Sequence, residues 1–65
     1  MANPQYDEYV EIDAKNIRET DDAVNFFDGD DYFWIPKSVM EDWPSLGEEG
    51  TAIVAYWFAH REGLI

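Results

Sequence analysis

The stretch Ala23-Val24-Asn25-Phe26-Phe27-Asp28-Gly29-Asp30-Asp31-Tyr32-Phe33-Trp34-Ile35-Pro36 decides the fold. In an extended chain Val24 and Phe26 face one way, so residues 23–27 read as a strand. Asp28-Gly29 then gives a strong hairpin signal, because glycine accepts the positive φ that tight turns need. The chain returns as a second strand over residues 32–35. Pro36 offers no N–H to a ladder, so this strand ends there or lies on a sheet edge. The runs Phe26-Phe27 and Tyr32-Phe33-Trp34 place aromatic rings on both faces of the hairpin. One face then suits a covering helix, the other a partner or a second copy.

Upstream, Val10, Ile12 and Ala14 alternate with Glu11, Asp13 and Lys15, the period-2 pattern of a strand with one wet face. A strand is expected over residues 9–18, joined to the hairpin by the turn formers Glu19-Thr20-Asp21-Asp22. Residues 1–6 lack periodicity and read as a loosely ordered lead-in.

Downstream, Ser38-Val39-Met40-Glu41 has the spacing of a capping box, which predicts a short helix or 3₁₀ turn over residues 39–43, stopped by Pro44. Residues 45–50 read as a loop and Thr51-Ala52-Ile53-Val54 as a fourth strand. Residues 55–62 fit a terminal helix, with Arg61 in its last turn and Gly63 at its C-terminal cap. A continuous helix over residues 51–62 competes with this division, since short apolar runs separate the two poorly. The expected fold is therefore α+β in one domain, residues 1–65: a three- or four-stranded, mainly antiparallel sheet, a short helical turn and a C-terminal helix.

Composition narrows the function. Fifteen Asp and Glu stand against four Lys and Arg, a net charge of −11 on 65 residues. A chain of this length has a core that is only marginally sufficient. With no cysteine it has no disulfide, thiolate zinc site or thiol nucleophile. Hydrophobic residues at 46% and aromatics at 17% nevertheless argue for folding rather than disorder. Lys15, Arg18, Lys37 and Arg61 are scattered, which disfavours direct binding of nucleic acid or an anionic membrane, and a charged partner should be basic. No apolar run reaches the ~18 residues of a membrane span and Met1 to Asp7 lacks the features of a leader, so a soluble, cytoplasmic protein is expected.

Catalytic and metal chemistry find little footing. An EF-hand loop starting at Asp28 would need Gly sixth and Glu twelfth, where the chain has Phe33 and Val39. Asp28-Gly29-Asp30-Asp31 reads as a hairpin turn, and no metal site or cofactor is expected. His60 is the lone histidine; Glu62 two residues on in a helix points away from it, and no nucleophile, phosphate loop or zinc set accompanies it. The chain is not expected to be an enzyme. Its aromatics suit a core better than a stacking platform for single strands, because such platforms lie in basic grooves.

The acidic residues carry the functional signal. Alternate residues on an exposed strand face stand roughly 6.7 Å apart, comparable with neighbouring phosphates of one nucleic-acid strand. Glu11 and Asp13 on the wet face of the first strand, with Asp21, Asp22, Asp28, Asp30 and Asp31 in the turns, are the candidate partner-binding carboxylates. The uncompensated charge opposes compactness over a Debye length of ~8 Å, a cost that suggests a use. The plainer reading is that the acidity serves solubility or a salty environment.

The segments Trp34-Ile35-Pro36-Lys37-Ser38 and Trp57-Phe58-Ala59-His60-Arg61-Glu62-Gly63-Leu64-Ile65 resemble a pattern in small phage- and prophage-borne proteins, over residues 17–65. The small size, strong acidity and lack of catalytic residues also resemble phage anti-CRISPR proteins and other DNA mimics. That resemblance implies a stoichiometric inhibitor, at work in the host cytoplasm, that occupies the basic DNA-binding surface of a CRISPR effector or other bacterial defence complex. The alternative is an interaction or assembly module that binds a protein through exposed aromatics while its charge maintains solubility. Both leave open whether the unit is a monomer or a dimer.

Overall fold

A computed structural model describes residues 8–65. The expected lead-in, residues 1–6, lies outside the described residues. The chain forms β1 (Tyr9–Glu19), β2 (Ala23–Phe27), β3 (Tyr32–Pro36), a 3₁₀ turn (Lys37–Val39), β4 (Met40–Asp42), β5 (Glu49–Ala55) and α1 (Tyr56–Arg61). The sheet is antiparallel, in the order β3-β2-β1-β5-β4. The architecture is α+β with five strands rather than three or four.

The extra strand arises where a helical turn was expected over residues 39–43. Pro36, not Ser38, caps the 3₁₀ turn, and no side chain closes the cap. The apolar Met40 then finds a better place in the sheet, buried opposite Val54. The capping-box spacing of Ser38 and Glu41 is therefore unused. Residues 51–54 are strand within β5, which excludes the continuous helix over residues 51–62. Pro36 both ends its strand and lies on an edge, where a missing N–H costs no ladder bond.

Pleating sorts the side chains cleanly. Ala14, Val24, Phe26, Ile35, Ala52 and Val54 point to one face and are buried, with Val10, Ile12 and Phe33 packed against them. Phe26 and Phe33, register partners on β2 and β3, bring their ring centroids to 6.0 Å. Over this face lies α1, contributing Phe58 and Ala59 to the core. Six residues are too few for an isolated helix in water, so packing and its C-terminal cap must hold it. Gly63, at φ 73°, allows the Leu64 N–H to bond the Ala59 carbonyl at 2.8 Å and its own N–H to bond that of His60 at 3.2 Å.

A register shift between Asn16 and Arg18 marks a bulge in β1. Past it, Glu19 pairs with Val24, whose side chain is buried on the inner face. The extra residue thus brings Asn16 and Glu19, three positions apart, to one side of the strand. Asn16 is fully buried; its Nδ2 donates to Glu19 Oε1 at 2.9 Å and to the Pro44 carbonyl at 3.0 Å. Its backbone completes the tie to the loop before β5, with Asn16 N–H on the Glu48 carbonyl and Gly47 N–H on the Asn16 carbonyl.

Candidate partner-binding surface

On the side of the sheet away from α1, the open face divides into two halves. Over β1, β5 and β4 it is acidic. Glu11 and Asp13 are exposed on alternate positions of β1, and their register partners on β5 are Ile53 and Thr51. Asp42 faces Ile53 from β4, so Glu11, Ile53 and Asp42 form one row across three strands. Glu49 enters the same half opposite Lys15. Asp13 Oδ1 accepts the Thr51 hydroxyl at 2.7 Å, which fixes its carboxylate relative to β5.

Over β2 and β3 the open face is aromatic. Phe27 and Tyr32 are register partners whose rings stack at 4.5 Å, and Trp34 stands opposite Asn25. Tyr32 is 66% and Trp34 48% exposed. Lys15 and Arg18 on β1, opposite Phe27 and Asn25, separate the aromatic half from the acidic one.

The remaining candidate carboxylates lie in two turns. Asp28, Asp30 and Asp31 crowd the β2–β3 turn beside the Phe27–Tyr32 stack. Asp28 Oδ1 accepts the N–H groups of Asp30 and Asp31, each at 2.8 Å, and the bonds from Asp31 and then Asp30 hold its pKa below the ordinary aspartate value. Gly29 supplies the positive φ, 105°, that closes the turn. Asp28 is thus a structural cap, while Asp30 and Asp31 present exposed side chains. Asp21 and Asp22 sit in the β1–β2 turn, where Thr20 Oγ1 accepts the N–H groups of Asp22 and Ala23. The length of β2, roughly 15 Å, separates the two turns. The structure therefore joins Glu11 with Asp13, and Asp28 with Asp30 and Asp31, but places Asp21 and Asp22 at the far end of the hairpin.

Few of these charges are neutralised from within. Among the described residues the ion pairs are Lys37 with Glu19 at 2.8 Å and Arg61 with the adjacent Glu62 at 3.2 Å. The Lys37 ammonium, followed by the Asn16 amide, holds the Glu19 carboxyl below its usual pKa. Lys37 Nζ also lies 5.7 Å from the Trp43 ring, beside an open cleft lined by Glu19, Thr20, Asp21 and Leu46. Among the described residues no three acidic or histidine side chains gather as a metal site would require, and no helix is long and apolar enough to cross a membrane. His60 is exposed and stacks on Tyr56 at 5.7 Å.

Asp42 and Glu49 belong to the acidic half but were not singled out from sequence. The alternation Glu49, Thr51, Ile53 against Gly50, Ala52, Val54 was the available signal for Glu49. Asp42 was hidden by the helical reading of its segment. Comparison with protein-family models, curated proteins and solved structures finds no match.

Proposed function

We propose that the chain is a stoichiometric inhibitor that mimics DNA and occupies the DNA-binding surface of a bacterial defence complex, with a CRISPR effector as the first candidate. One observation carries this reading. Glu11 and Asp13 stand on alternate positions of an open sheet face, with no cation of the described residues within 4.0 Å of either. Their spacing of roughly 6.7 Å suits cationic groups arranged to hold successive phosphates. Asp42 and Glu49 widen the same face, and Asp30 and Asp31 extend the negative potential around the hairpin end.

A groove lined by Lys and Arg would take these carboxylates through charge-assisted hydrogen bonds, and long-range attraction would steer the encounter. Occupancy alone blocks the target, so this role calls for no catalytic group and no cofactor. Asp21 and Asp22, beyond the length of β2, contribute field rather than contacts at the same point.

The exposure of Tyr32 and Trp34 favours a second reading, in which an aromatic interface binds a protein partner and the charge serves solubility. Charge reversal separates the two. Replacing Glu11 and Asp13 together by Lys, and separately Asp30 and Asp31, should each reduce inhibition of a CRISPR effector at least about tenfold if several charge-assisted contacts are lost. Both variants should retain the wild-type circular dichroism spectrum. Undiminished potency in both would remove the assignment of the carboxylates.

A further inference from the structure

Among the chain's three tryptophans, two already carry a cation from the chain itself. Lys37 Nζ lies 5.7 Å from the ring centroid of Trp43, and the Arg61 guanidinium 5.1 Å from that of Trp57. Trp34 has no such cover among the described residues, although it is 48% exposed on the open face. Next to it, Tyr32 stacks one side on Phe27 at 4.5 Å and remains 66% exposed. Asp30 and Asp31 are exposed in the turn that leads into β3, Asp31 being adjacent to Tyr32 in the chain.

We propose that the open face of the β2–β3 hairpin, with Tyr32 and Trp34 as platforms and Asp30 and Asp31 as counter-charges, docks arginine side chains of a basic partner segment. The proposal rests on the reading of the partner as basic and adds the chemistry by which it is recognised. A guanidinium is planar and weakly hydrated, so it stacks on an aromatic face while its N–H groups pair with a carboxylate. A lysine ammonium supplies the charge but not the flat stack. Lys15 and Arg18 bound the patch on its β1 side, so a cation approaches from the free edge of β3 or from the turn, where Asp30 and Asp31 lie. A second copy is the wrong occupant. Each copy carries a net charge of −11, so two chains repel, and two of the four Lys and Arg are engaged in ion pairs.

The test uses two fluorescently labelled nine-residue peptides of equal charge, one alternating Arg with Gly and the other Lys with Gly, titrated with the intact protein. Wild type should favour the arginine peptide about fivefold, the scale of one exposed cation–π contact. Trp34→Ala and, independently, Tyr32→Ala should reduce that preference towards unity while changing affinity for the lysine peptide by less than about twofold. Replacing Asp30 and Asp31 by Asn should weaken both peptides. Thermal melts identify any variant that fails to fold, and either aromatic variant suffices. Equal affinity of wild type for the two peptides, or a preference undiminished in the aromatic variants, would overturn the proposal. Loss of effector inhibition on carboxylate reversal without any arginine preference would leave DNA mimicry standing and remove this inference. An arginine preference in a protein with no DNA-competed target would do the reverse.

Discussion

Asn16 Nδ2 donates to Glu19 Oε1 at 2.9 Å across the bulge in β1, joining a fully buried amide to the carboxylate that also pairs with Lys37. The bond links three parts of the chain, because the same amide reaches Pro44 and Lys37 follows directly from β3. Asn16 is the only buried polar or charged side chain of the described residues. Asn16→Ala would remove the amide that donates to the Pro44 carbonyl and to Glu19 Oε1, at a cost of about 2 kcal/mol. In a domain of this size that corresponds to a fall in melting temperature of roughly 8 to 15 °C. A circular dichroism melt within about 2 °C of wild type would contradict this role.

Glu19 predicts a pH dependence. Its carboxyl is held below the ordinary value chiefly by Lys37, so the folded state binds the ionised form preferentially. The resulting stabilisation is fully present above the unfolded carboxylate pKa and is lost as pH falls through the lower, folded value. Glu19→Gln should therefore melt below wild type at neutral pH, and the gap should close as the solution is acidified. The difference between the two proteins isolates this site from the general relief of charge repulsion in acid. A gap that widened on acidification would reverse the assigned sign.

Phe26 and Trp34 should respond oppositely to truncation although both lie on the hairpin. Phe26 is fully buried, and Phe26→Ala should cost ~3–5 kcal/mol, comparable to the whole stability of so small a domain. Loss of cooperative urea unfolding at 25 °C is the expected readout. Trp34→Ala, on the open face, should keep a cooperative transition.

At the hairpin turn, Gly29 has open space around a Cβ but a φ of 105° that L-residues rarely adopt. Gly29→Ala should therefore destabilise by about 1–2 kcal/mol through backbone strain alone. Hydrogen exchange should quicken at Phe27 and Tyr32 before it does in β5. Faster exchange in β5 first would place the damage elsewhere.

Much of the architecture was legible where two signals agreed. Residues 23–27 form β2 as expected, because Val24 and Phe26 alternate inward and Asp28-Gly29 punctuates the end. The wet face of β1 follows Glu11, Asp13 and Lys15, and Gly63 ends the helix. The errors fall where signals competed. Ser38 and Glu41 have capping spacing, but burial of Met40 beside Val54 outweighed a local cap and drew residues 40–42 into the sheet. The bulge in β1 has no glycine to announce it, yet it determines which side Glu19 takes. The sequence reading passed over Asn16, although the alternation of Val10, Ile12 and Ala14 continues onto it and places an amide on the apolar face. Of the acidic surface, sequence supplied the pairing of Glu11 with Asp13; the distance between the two aspartate-rich turns depended on strand pairing and emerged only with the fold.

DNA mimicry is tested most directly by capture on the tagged protein from cells expressing CRISPR effector complexes, with washes at low and then high salt and competition by duplex DNA. If the chain mimics DNA, a DNA-binding complex should be retained at low ionic strength, released at high salt and displaced by the duplex, because ionic contacts are screened by salt and the duplex competes for the same surface. A partner that withstands high salt and ignores duplex DNA would contradict mimicry and point to the aromatic face instead.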